Sequence, residues 1–183
     1  MSLVLPLTQS WLSEQETAFR PGTARFSWAN NQLHLLADLV DEEITSSATG
    51  HQQRLWELGD VVELFVKHEG NSDYDEYQIA PNGFTLALHY PDLSCVEAVR
   101  RGEKNLGYFF TDLPLVSEST KTEQGWQAKL SVPLKANAGD TIRVSCCRYD
   151  YRAERAPILS STSPHPVRDF HRPQDWREII VGL

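Results

Sequence analysis

The sequence predicts an all-β protein, an antiparallel β-sandwich of jelly-roll type with about ten short strands and at most one short helix. Three observations carry this expectation. Apolar residues alternate with a period of two in several segments, most clearly Gln32–Val40, Val61–Val66 and Gly125–Pro133. Turn-forming clusters such as Asn30-Asn31, His68–Asp73 and Pro81-Asn82-Gly83 separate these segments at short intervals. Little of the chain shows the 3.6-residue period of an amphipathic helix.

The elements follow in order. Residues 3–8 read as a first strand, and Pro6 within it, lacking an N–H, places that strand at an edge. Ser10–Arg20 reads as a brief helix capped by Ser10 or Ser13, with Ser13 and Glu16 at capping-box spacing, ended by Pro21-Gly22. Ala24–Asn30 and Gln32–Val40 form a hairpin that sets Leu33, Leu35, Ala37 and Leu39 on one face. After a polar loop comes the central hairpin, Val61–Val66 and Tyr74–Ala80. Val62, Leu64 and Val66 share one of its faces; Val61, Glu63 and Phe65 share the other. Phe84–Tyr90 and Leu93–Val99 read as two further strands. Leu115–Glu118 pairs with Gly125–Pro133, whose residues Trp126, Ala128, Leu130 and Val132 face the core. Thr141–Tyr151 is a long strand, residues 152–175 are loop, and Trp176–Val181 closes the chain. No repeat or linker divides the 183 residues, so residues 1–183 read as one domain, long enough for a sizeable core.

Composition narrows the function. Seventeen basic against 25 acidic residues give a net charge of −8, which disfavours nucleic acid and anionic membranes as partners. No apolar run is long enough to span a bilayer, and the first residues lack the basic region of a signal peptide. The cysteines are Cys95, Cys146 and Cys147; two adjacent ones on a strand face opposite ways, so no disulfide framework is expected and the cytoplasm is favoured. Without a Cys-x-x-Cys pair, no thiolate zinc site is expected. Asp38, Asp41, Glu42 and Glu43 are the acids a calcium ion would use, but the spaced acidic loop is missing and the run reads as solvated. No cofactor is therefore expected. Ser160, Ser161 and Ser163 with His165 and Asp169 supply the residue types of a hydrolytic triad without a nucleophile elbow. Asp75 and Glu76 are adjacent, face opposite ways on a strand, and cannot flank one glycosidic bond. The chain is not read as an enzyme.

Three pieces stand in order: Gly59-Asp60-Val61-Val62-Glu63-Leu64-Phe65-Val66 with Tyr77 and Asn82-Gly83; Gly125–Pro133; and Cys147-Arg148-Tyr149 with Asp169–Trp176. Together they resemble the family 9 carbohydrate-binding modules, within the broader DOMON-like sandwiches, over residues 20–183. The resemblance implies a non-catalytic module that clamps a sugar, or another small polar ligand, between two aromatic rings. The rings fall near Trp56 and on Phe170. The acid that bonds sugar hydroxyls matches Glu63, and Gln78 stands where sugar binders carry an arginine. Arg148 and Tyr77 are further polar contacts, and His171 beside Phe170 is a ligand donor. Against these stand plainer roles: Trp56 covering the sandwich end, Glu63 paired with Arg148, and His171 fixing a loop. Structural calcium is common in the family.

Two other readings remain open at the level of sequence. One is a structural or protein-interaction sandwich with a vestigial pocket. The other is a haem-carrying electron-transfer domain; its usual Met–His ligand pair is excluded, because Met1 is the only methionine, and bis-His ligation stays open without a signal for it. The sequence carries no signal for oligomeric state.

Overall fold

Alternation of apolar side chains leads to two stacked antiparallel sheets in the computed structural model, which describes residues 2–112, 114–152 and 155–182. The strands are β1 (Ser2–Pro6), β2 (Gly22–Ala29), β3 (Gln32–Val40), β4 (Val61–His68), β5 (Tyr74–Ile79), β6 (Thr85–Tyr90), β7 (Val116–Lys121), β8 (Gly125–Pro133), β9 (Thr141–Asp150), β10 (Ile158–Ser161) and β11 (Arg177–Ile180). A helix, α1 (Leu93–Arg100), follows β6. The five-stranded sheet has the order β1-β2-β3-β8-β7. The six-stranded sheet has the order β10-β9-β4-β5-β6, with β11 also paired to β9.

The inward faces are those the alternation predicts. Leu33, Leu35, Ala37 and Leu39 of β3 and Trp126, Ala128, Leu130 and Val132 of β8 meet Val62, Leu64 and Val66 of β4 in one buried core. At Asn30-Asn31 both residues have positive φ (52° and 58°), as a two-residue hairpin turn of matching twist requires. Gly125, opening β8, lies so close to β3 that a Cβ would stand 2.1 Å from the Leu39 carbonyl oxygen, so no larger residue fits there.

Three expectations are corrected. Leu93–Val99 is helical, not extended. Asp92 caps it, accepting from the Cys95 amide at 3.3 Å, and Cys95, Val96 and Ala98 turn inward on one side. Residues 10–20 form turns rather than a helix. There Gln9 takes the role expected of Ser13: its amide accepts from the Glu16 N–H at 2.8 Å and donates to the Glu16 carboxylate at 2.9 Å, closing the loop. Residues 152–175 are not all loop, because β10 pairs with the second half of β9.

Candidate ligand-binding site

The six-stranded sheet is buried on both faces, and its outer face holds a second cluster. Val61 and Phe65 of β4, Tyr74 of β5, Leu86, Leu88 and Tyr90 of β6 and Cys147 of β9 form its floor. Leu55, helix α1, Leu106, Phe109, Phe170 and Trp176 cover it. Trp11, Trp56, Leu58, Phe84 and Tyr149 pack against it and are only partly buried. Phe170 packs among the rings, edge-to-face with Tyr149 at 5.7 Å and tilted against Trp11 at 6.1 Å between centroids.

A file of polar groups crosses this apolar floor. Glu63 lies opposite Gln78 on β5, and Glu76 follows two residues along the same face. Gln78 donates both of its amide hydrogens, one to Glu63 Oε1 at 2.9 Å and one to Glu76 Oε1. Glu76 Oε2 faces His171 Nε2 at 3.7 Å, and His171 Nδ1 meets the Tyr74 hydroxyl at 2.7 Å. Two carboxylates thus share one neutral amide in a dry setting. Desolvation, then the charge of Glu76, raises the Glu63 pKa well above the usual range. Desolvation pushes Glu76 up to about 7, against the opposing effects of the Gln78 bond and Arg100. Desolvation, then Arg100, lowers His171 to about 3, so it is neutral. Burial, then Glu63, raises Tyr149 far enough to keep it protonated.

Trp56, Glu63, Gln78, Phe170 and His171, all named from the sequence, gather on this one face. Phe170 is 4% exposed and Glu63 3%. Tyr77 and Arg148 do not join them. Tyr77 is adjacent to Gln78 and points into the core between the sheets. Arg148 pairs in register with Val62, not Glu63, and shares that opposite side. The suggested Glu63–Arg148 ion pair is absent among the described residues. Glu63 is bonded by Gln78, while Arg148 Nη2 reaches Asp41 at 3.1 Å and the Val40 carbonyl at 3.0 Å. Glu76 and Tyr149 were missed. Glu76 has the same parity on β5 as Gln78 and Tyr74, a signal that its adjacency to Asp75 obscured.

Of the acids considered for calcium, only Asp41 turns inward. It joins Asp60 and Asp150, whose ligand atoms all lie within 4.8 Å of one another. Arg148 occupies this group, 3.1 Å from Asp41 and 3.5 Å from Asp150. The oxygens of Asp60 accept from the Thr45 and Tyr151 amides, each at 2.6 Å. A guanidinium already supplies the positive charge, so the donor set does not fit a calcium ion. The serine-rich loop forms no triad: Ser163 bonds Ser145 at 2.8 Å, Asp169 binds Arg100 at 2.7 Å, and neither ring nitrogen of the buried His165 has a hydrogen-bond partner. A polar cleft of about 760 Å³ lies between the sheets at the far end of the sandwich; its walls include His68, Asp75, His89 and Lys135 and none of the predicted site residues.

The comparisons with known proteins bear on the fold. No protein-family model and no curated protein matches the chain. Among solved structures, a candidate carbohydrate-binding protein from Bacteroides uniformis aligns with a TM-score of 0.72 at 14% identity, covering 98% of this chain and 86% of that one. A family 9 carbohydrate-binding module from Caldicellulosiruptor kristjanssonii, in complex with cellotriose, aligns with a TM-score of 0.62 at 14% identity over 91% of this chain and 77% of that one. The same organism's family 9 module in complex with glucose gives a TM-score of 0.65 at 13% identity over 91% and 78%. No helix among the described residues is long and apolar enough to cross a membrane. By fold, the chain is a β-sandwich of the kind seen in the family 9 carbohydrate-binding modules.

Proposed function

We propose that the protein is a non-catalytic carbohydrate-binding module whose site is the upper part of the outer face of the six-stranded sheet. Trp56 and Phe170 supply the apolar surfaces for the C–H faces of a sugar ring. Glu63 and Gln78 meet its hydroxyls, with Glu76 and Tyr149 beside them and His171 behind Glu76 at 3.7 Å. The single observation that supports this most is the convergence of a partly buried ring, Trp56, and a buried one, Phe170, on the face that holds a buried acid–amide pair, in a fold whose neighbours include modules complexed with glucose and cellotriose. Tyr77 and Arg148 take no part, since they face the other way. The overall charge of −8 leaves nucleic acid outside the reading.

Isothermal titration with glucose and cellotriose tests it. Binding is expected, with Trp56→Ala and Glu63→Gln each weakening it at least about tenfold, while Tyr77→Phe leaves the affinity unchanged. Silence across these and a wider panel of mono- and disaccharides contradicts the proposal. One observation favours a second reading in that event. The near-complete burial of Phe170, 4% exposed, would then mark a packed face in a structural or protein-interaction sandwich.

A further inference from the structure

The polar floor of this face is rich in acceptors and short of donors. Gln78 has only two amide hydrogens, and both go to carboxylates. Glu76 Oε2 and Gln78 Oε1 are buried without a hydrogen-bond partner, in residues 2% and 0% exposed. Glu63 has one hydrogen bond among the described residues, through Oε1, which leaves its second oxygen free. Of the two acids and the amide, Glu63 is the most exposed, at 3% against 2% for Glu76 and 0% for Gln78.

No cation touches the two acids among the described residues. Arg100 on α1 is turned to Asp169 and Glu97, at 2.7 and 3.0 Å, and Arg148 lies behind the sheet with Asp41. Tyr74, Tyr90, Cys147, Tyr149 and His171 on this side are each held neutral. Without a cation, burial shifts Glu63 toward its protonated form and raises Glu76 to about 7; a bound cation would let these carboxyls ionise, which a neutral hydroxyl cannot do. A protonated primary amine brings three donors together with the missing charge.

We infer that the site selects an amine-bearing sugar, a hexose with a protonated amino group in place of one hydroxyl, over the neutral sugar of the same shape. The ammonium lodges against the free oxygen of Glu63, with Glu76 close behind. This rests on the saccharide reading above. It differs from that reading in naming charge, not shape alone, as what the floor recognises.

The test is calorimetric titration of the native protein at pH 7 with glucose, glucosamine and N-acetylglucosamine. Glucosamine is expected to bind at least about tenfold more tightly than either neutral sugar. Glu76→Gln, which preserves volume and removes the ionisable carboxyl, is expected to shrink the ratio of the glucosamine and glucose affinities. Equal or weaker binding of glucosamine overturns the inference and leaves the saccharide reading standing. A preference that Glu76→Gln does not move overturns it as well. Silence with all three sugars overturns both. The three-sugar comparison needs no variant, so it decides the matter even where Glu76→Gln fails to fold.

Discussion

Arg148→Met is expected to cost about 3–5 kcal/mol of stability, because it removes the guanidinium that bridges two buried acids, Asp41 and Asp150, and Arg152 reaches only Asp150, at 3.5 Å. The side chains of Arg148 and Asp41 are 1% exposed and that of Asp150 2%. Arg148 also donates to the Val40 carbonyl at 3.0 Å, so it ties the end of β3 in the five-stranded sheet to β9 in the other. Met fills much of the volume but leaves Asp41 and Asp150 facing each other across a dry gap. Asp60 stands alongside, already raised to about 7 by desolvation. The acids would then take up protons, and the variant would lose most stability at high pH. Urea unfolding at pH 7 measures the effect. A loss under about 1 kcal/mol would mean that Arg148 is not the counter-charge of this group.

The second large effect concerns pH. Glu76 is raised from 4.5 to about 7 in the folded protein, chiefly by desolvation. A carboxyl raised in this way adds stability that is fully present below its unfolded pKa and is lost as pH rises through the folded one. Between pH 5 and pH 8 the loss is about 2–3 kcal/mol for this group alone. Glu63 and Asp60 act in the same direction, since both are raised. His171 acts oppositely. Lowered from 6.5 to about 3, it favours the fold above its unfolded pKa and withdraws that support as pH falls through the window. Glu76→Gln removes one contribution and leaves the rest. The variant is therefore expected to gain about 2–3 kcal/mol on the native protein between pH 5 and pH 8, read from urea unfolding at the two pH values. Parallel curves would show that Glu76 titrates as an ordinary exposed acid.

Much of the sandwich is legible in the sequence because a period of two assigns faces without knowledge of partners. Leu33 to Leu39, Val62 to Val66 and Trp126 to Val132 all point where alternation puts them. Glu63 stands out for the same reason, as an acid on a strand otherwise apolar on both sides. Alternation also contains a warning about Tyr77, which cannot share a face with adjacent Gln78. Arg148 is different in kind. Its side depends on the register between β4 and β9, strands 80 positions apart in the chain, and a shift of one residue reverses every side chain. Helix α1 was hidden because eight residues with three buried positions fit a short strand as well; the cap at Asp92, after Pro91, was the available signal. Strand β10 has only four residues and takes its definition from the neighbour it pairs with. The polar file is least legible of all. It is assembled from β4, β5 and the 170–171 loop, so no local pattern contains it.

The central claim is that ligand recognition belongs to the outer face of the six-stranded sheet, around Glu63. Backbone amide shifts of isotope-labelled protein, followed by NMR during titration with glucose or glucosamine, test it most directly. The account predicts that the perturbed amides gather at Trp56, Val61–Phe65, Glu76–Gln78, Cys147–Tyr149 and Phe170–His171. Perturbations confined to β2, β3, β7 and β8, or to the polar cleft around Asp75 and His89, would contradict it.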